Sequence, residues 1–301
     1  MSPKSFCISN GVRQGGVLSP TLFNMYIDVL LCNLEKQGIG CHIGDKYYGS
    51  LGYADDVILL SPTLGGIQTM LNECESYGHE LYVKFNSKKT VCMLFQSRGN
   101  KVTRTGNVYL CGEQLKWENS VEYLGNKLNV SCSDSDDILY KRSNFIGSVN
   151  TLLGNFRCVP TNLLNALFCT FCCSVYGCQS WLLRTSELRL LSTSYNIALR
   201  RIWRLPYRAH TDLTHAVAGY SDIVTIITKR FVRLFHKMYE SDNASVAFIA
   251  KKALYDSHGT LGDNLRIVCT KYNIACSKSV ARDLLSAIYQ KDYTAALCDE
   301  L

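Results

Sequence analysis

Gly49-Ser50-Leu51-Gly52-Tyr53-Ala54-Asp55-Asp56-Val57-Ile58-Leu59-Leu60 is the stretch whose reading decides the fold. A glycine-punctuated segment runs into Tyr53, two adjacent carboxylates follow, and an apolar run closes the stretch. The pattern predicts a strand, a tight turn carrying Asp55 and Asp56, and a second strand. Adjacent carboxylates repel each other unless something positive lies beside them. Divalent metal ions are one such partner, and phosphoryl transfer is one reason to hold them. Ordinary turn chemistry also favours Asp in hairpins, so the flanking sequence has to decide.

Upstream lies Gly11-Val12-Arg13-Gln14-Gly15-Gly16-Val17-Leu18-Ser19-Pro20, running into Thr21-Leu22-Phe23-Asn24-Met25-Tyr26-Ile27-Asp28. Downstream lie Asn86-Ser87-Lys88-Lys89-Thr90 and Glu122-Tyr123-Leu124-Gly125. In this order the blocks resemble the reverse transcriptases of non-LTR (LINE-type) retrotransposons. The run from Ala198 to Arg208, with Arg200, Arg201, Trp203, Arg204 and Tyr207, resembles the helical region that follows the thumb in those elements. The resemblance extends from about Ile8 to about His215. Two other readings stay open: an intron-maturase-type reverse transcriptase, and a non-catalytic nucleic-acid-binding remnant of polymerase ancestry.

The resemblance implies an RNA-directed DNA polymerase acting on an RNA template, a DNA primer and deoxynucleoside triphosphates, with two Mg²⁺ ions in the complete enzyme. Asp55 would be the principal metal ligand and Asp56 an auxiliary one, with Tyr53 beneath the primer end. Gln14, Gly15 and Gly16 would lie against the templating base and the incoming nucleotide, where glycine lets backbone approach without a Cβ. Lys89 would donate a proton to the departing pyrophosphate. Tyr123 and Gly125 would grip the primer, and Arg200, Arg201 and Arg204 would contact phosphates.

The same pattern exposes an absence. The family uses a further aspartate from a strand before the glutamine-glycine block, and residues 1–10 hold no acid. The expectation is therefore the C-terminal part of a longer polymerase, lacking the fingers and first palm motif and inactive by itself. Ser19 is expected to cap the helix that Pro20 begins.

Composition fits this reading without proving it. The chain has 301 residues, 47% of them apolar, and a net charge of +7, which suits a polyanionic partner. Fifteen irregularly spaced cysteines and no secretory leader point to a reducing interior, nucleus or cytoplasm. Cys169, Cys172, Cys173 and Cys178 cluster, but no histidine follows at zinc spacing and the pattern there is that of an apolar helix, so they read as small buried hydrophobes. The uncharged stretch between Arg157 and Arg184 carries Pro160, Asn162, Asn165, Gly177 and Gln179, which favours a buried helix over a membrane span.

The expected fold is α+β. A truncated palm of helices on an antiparallel sheet fills residues 1–130, a helical thumb or connection fills 131–190, and a helical C-terminal region fills 191–301. Helices are expected from Leu18 to Leu34 and from Ile67 to Tyr77. Strands are expected at Cys41 to Tyr48, Val57 to Leu60, Leu81 to Phe85 and Val91 to Gln96. A hairpin is expected across Cys111-Gly112-Glu113, with Val121 to Leu128 closing the sheet. Beyond Ile138 the pattern is helical.

Overall fold

A computed structural model describes residues 15–96, 106–173, 175–256 and 259–275, with 280, 282–284 and 286–288. The chain divides into two units, Met1–Asn119 and Ser120–Leu301.

In the first unit α1 (Ser19–Gln37) carries Pro20 in its opening turn and stops at Gly38, whose φ of 66° lets its N–H return to Glu35. Leu18 rather than Ser19 occupies the cap position, with no side-chain cap bond, so the expected Ser19 cap is replaced by a helix that begins one residue earlier. Two hairpins follow: β1 (His42–Ile43) with β2 (Lys46–Tyr47), and β3 (Ser50–Tyr53) with β4 (Asp56–Leu59). Leu60 joins them, donating its N–H to Gly49 and accepting from Cys41. α2 (Leu64–Leu81) is capped by Thr63, whose side chain accepts from the Gly66 N–H. Leu30 and Leu34 of α1 pack on Met70, Cys74 and Tyr77 of α2 to form a small core.

Gly78 does not end α2 as its sequence suggests. The helix runs on to Leu81 and turns at Tyr82, which takes a left-handed φ of 56°. A Cβ at Gly78 would meet the Val83 carbonyl oxygen at 2.5 Å, so this glycine makes room for the returning chain. That return leaves 83–86 without a partner strand, and the strand expected over Leu81 to Phe85 is absent. The next strand, β5 (Val91–Cys92), is shorter than expected and pairs in parallel with β8 (Lys116–Trp117). β6 (Tyr109–Leu110) and β7 (Glu113–Gln114) form the expected hairpin, and both turn residues, Cys111 and Gly112, have positive φ. The architecture is α+β, and the described residues form helices and five two-stranded pieces, four of them antiparallel.

The second unit opens with the hairpin β9 (Ser120–Tyr123) and β10 (Asn126–Asn129), which turns at Leu124 and Gly125. This hairpin belongs with the helices: Asp137 on α3 (Ser135–Asn155) accepts the Lys127 N–H at 2.9 Å. The two units divide between Asn119 and Ser120, and α5 spans Ser186–Ile202. α4 (Thr161–Phe171) and a 3₁₀ turn at Cys178–Ser180 carry the uncharged stretch, and no helix among the described residues is long and apolar enough to cross a membrane. Phe145, Phe168, Cys172, Cys178, Trp181 and Tyr195 are buried in one large core, whose side chains each contribute roughly 1.5–3 kcal/mol of burial. α6 (Thr211–Ala218) is a short helix within the expected helical region. α7 (Ile223–Tyr239), α8 (Ala244–Tyr255) and α9 (Thr260–Tyr272) surround a second core that includes Phe231, Phe235 and Leu265.

Candidate functional site

Asp55 and Asp56 stand at the tip of the β3–β4 hairpin. Tyr53 pairs with Asp56, leaving Ala54 and Asp55 as the two turn residues. Ala54 holds a φ of 52°, a conformation that costs a non-glycine residue roughly 1–2 kcal/mol. Both carboxylates are exposed, and among the described residues neither makes a hydrogen bond or ion pair. Tyr53 is 63% exposed. The base of the hairpin is fixed by contrast. A Cβ on Gly52 would lie 3.0 Å from Leu31 Cδ1, so glycine lets α1 seat closely on β3. Tyr77 ties α2 to α1 by donating its hydroxyl to the Tyr26 carbonyl.

Along α1, Leu18, Leu22, Met25 and Val29 recur at helical spacing on one face, and all four are exposed; Met25 is 65% exposed. The Gln14 position lies outside the described residues. Gly15 has a φ of 78° and open space where a Cβ would stand, while Gly16 accepts the Ser19 N–H at 3.2 Å. Lys89 is exposed in a turn organised by Asn86, whose side-chain oxygen accepts the N–H groups of both Lys88 and Lys89.

Tyr123 and Gly125 belong to the second unit, in a hairpin whose turn residues Leu124 and Gly125 have φ of 46° and 72°. This hairpin is locked in place. Asp137, 3% exposed, accepts from the Lys127 N–H, from Lys141 Nζ at 2.8 Å and from Trp181 Nε1 at 2.7 Å. Lys141 also reaches Asn126 Oδ1 at 2.5 Å. A Cβ at Gly177 would collide with that same oxygen, so the 175–178 loop is pressed against the hairpin. Beside Gly125 stands the ring of Tyr176, 62% exposed.

The three candidate arginines separate. Arg200 turns back on its own chain, with Nε donating to the Ala209 carbonyl at 3.0 Å and Nη2 to Thr211 Oγ1 at 3.3 Å. Arg201 is exposed and donates to Asn150 Oδ1 at 2.8 Å. Arg204 is exposed and left-handed, with a φ of 52°. Trp203 is half-buried against the core and donates to Asn165, whereas Tyr207 is 77% exposed.

Sequence reasoning passed over Asp137, Lys141, Trp181, Tyr176 and Arg142. The i,i+4 spacing of Asp137 and Lys141 was the one signal available for the first two. Asp134 is half-buried and accepts the Leu182 N–H at 2.7 Å; burial raises its pKa against that bond.

Residues 2–128 match the family model described as reverse transcriptase (RNA-dependent DNA polymerase). Over 97 residues the chain is 36% identical to the Pol polyprotein of the type-1 retrotransposable element R2 of Popillia japonica, covering 32% of this chain and 14% of that protein. Over 147 residues it is 29% identical to the Pol polyprotein of R2DM from Drosophila melanogaster, covering 46% of this chain and 14% of that protein. A third R2 Pol polyprotein, from Nasonia vitripennis, is 41% identical over 68 residues, covering 23% of this chain and 6% of that protein. The matches thus span a small part of each relative. Residues 2–128 are thus similar to reverse transcriptases, and the chain is similar to part of the Pol proteins of R2 retrotransposable elements.

Proposed function

We propose that residues 15–119 are part of the palm of an RNA-directed DNA polymerase, and that Asp55 and Asp56 supply two carboxylates of its metal centre. The observation that carries this is the pair of adjacent, exposed acids, without a side-chain partner among the described residues, at the tip of a hairpin whose base is packed beneath α1. Their oxygen donors suit a hard cation such as Mg²⁺, which is usually held by one or two carboxylates with substrate phosphates completing the set. Among the described residues no third His, Cys, Asp or Glu joins them. The reading therefore needs a further carboxylate from outside the described residues. When bound, the ions would polarise the phosphate and neutralise its developing charge. The chain's own part is to fix the carboxylates on a rigid hairpin, to bring Lys89 toward the triphosphate, and to offer Gly15, Gly16 and Gln14 to the nucleotide.

In this reading the β9–β10 hairpin with Tyr123 and Gly125 grips the primer, α3 and α4 form a thumb, and nucleic-acid contact falls to Arg201 and Arg204. Arg200 ties the end of α5 to the following loop. The template would be RNA, the primer DNA and the substrates deoxynucleoside triphosphates. Primer extension on an RNA template tests it. Residues 1–301 alone should extend poorly, a longer polypeptide that adds an upstream aspartate should extend with Mg²⁺, and Asp55→Asn in that polypeptide should abolish extension. Robust extension by 1–301 alone would refute the incomplete-centre reading. Full activity of the Asp55→Asn variant would refute the catalytic one. The non-catalytic nucleic-acid binder stays as the second reading, favoured by exposed Arg201, Arg204, Tyr207 and Arg208. It expects binding without extension from either polypeptide.

A further inference from the structure

α3 and α5 lie side by side and run in the same direction: Arg142 on α3 reaches Ser194 and Leu190 on α5, and farther along Arg201 on α5 reaches Asn150 on α3. Between these two bridges opens a groove of about 210 Å³, walled by Ile146 and Val149 on one side and Ile197 and Ala198 on the other. Arg142 and Arg201 flank it, one toward each end. The bridges Arg142–Ser194 and Asn150–Arg201 are a little over two helical turns apart, about 12 Å. The acids of both helices sit in the first turns, at Asp136, Asp137 and Glu187. From Ile138 to Asn155 and from Leu188 to Ile202 there is no Asp or Glu, while Lys141, Arg142, Arg189, Arg200 and Arg201 are present. Asp137 already balances Lys141.

Arg142 is anchored through Nε, at 2.8 Å from Ser194 Oγ, and Arg201 through one Nη. A guanidinium has five N–H donors, so each anchored head keeps most of its donors for a ligand, in a fixed orientation that needs little further ordering.

We propose that this groove binds an unpaired stretch of nucleic acid, with backbone phosphates on Arg142 and Arg201 and a base or sugar on the apolar floor between them. The proposal rests on the polymerase reading and adds Arg142 and the groove to it. Charge selects a polyanion. The apolar floor between the cations selects an unpaired segment, because the stacked bases of a duplex cannot enter it and a lone phosphate would leave it uncovered.

The test is fluorescence anisotropy of a labelled single-stranded 12-mer with residues 1–301, titrated across salt concentration. Arg142→Gln with Arg201→Gln should weaken binding about tenfold at low salt. It should also reduce the slope of log affinity against log salt by about 1.4, since each phosphate that a single strand no longer has neutralised removes about 0.7. Arg201→Gln alone, at an exposed position, should give about half that change and guards against misfolding of the double variant. Lys252→Gln, on α8, should leave the slope unchanged. An unchanged slope in a folded double variant, with the wild type binding, overturns the groove and leaves the polymerase reading intact. Absence of wild-type binding overturns the groove, and the polymerase reading is then decided by primer extension with the longer polypeptide. An equal loss on a blunt duplex overturns the unpaired segment.

Discussion

The two hairpins β3–β4 and β9–β10 share a device and differ in what surrounds it. Each turns through two residues, the first of them non-glycine and left-handed, Ala54 in one and Leu124 in the other. The tip of the first makes no side-chain bond among the described residues and carries two carboxylates into solvent. The second is held by a buried carboxylate, a half-buried lysine, a tryptophan N–H and a glycine loop pressed on its turn. Like charges left without partners are expensive to keep together unless a ligand uses them, so the first hairpin reads as chemistry. Buried polar groups that are all satisfied fix geometry, so the second reads as scaffold.

The largest expected effect separates the two directly. Asp137→Ala leaves the Trp181 indole N–H and the Lys127 N–H without their acceptor and Lys141 without its buried counter-charge. It should cost about 3–5 kcal/mol, or about 10 °C in the melting of the helical unit followed by tryptophan fluorescence. Asp55→Asn should move the same transition by no more than about 2 °C. If both variants destabilise alike, the distinction between the hairpins fails.

A smaller effect concerns the loop beneath the second hairpin. A Cβ at Gly177 would overlap Asn126 Oδ1, on a backbone with a φ of 76°. Gly177→Ala should therefore cost about 2–3 kcal/mol in urea unfolding. Gly147→Ala on α3, where a Cβ meets nothing within 4 Å, should instead gain about 0.5–1 kcal/mol.

The smallest effect is a pH dependence confined to the helical unit. Burial holds the His215 imidazole below its ordinary pKa, with Arg200 adding to this and Asp222 and Asp212 opposing it. The unfolded chain then takes up the proton at a higher pH than the folded one. The stabilisation from the neutral ring is complete above about pH 6.5 and declines as pH falls below it. His215→Gln should flatten the stability profile between about pH 5 and 7. An unaltered profile would assign that slope to other groups.

How legible these features were in the sequence follows from how local they are. Tyr53-Ala54-Asp55-Asp56 between two strand-like runs is a short-range pattern, and the hairpin is where that pattern puts it. The helices of the second unit follow from periodicity for the same reason. The strand expected over Leu81 to Phe85 is absent because the helix expected to stop at Tyr77 runs on to Leu81, with Gly78 making room for the chain folding back over it. The Asp137 network was hidden because Trp181 lies 44 residues away in sequence, and only packing brings them together. Arg200 looked equivalent to Arg201. Its inward turn comes from the chain reversal that brings Ala209 and Thr211 beside it.

The central claim is that Asp55 and Asp56 form a metal-bearing tip. The most direct measurement is paramagnetic broadening of backbone amide NMR signals as Mn²⁺ is titrated into residues 1–301. Broadening should be strongest at the amides of Tyr53 to Val57, should be competed by excess Mg²⁺, and should vanish in the Asp55→Asn, Asp56→Asn double variant. Broadening centred elsewhere, or unchanged in that variant, would contradict the account.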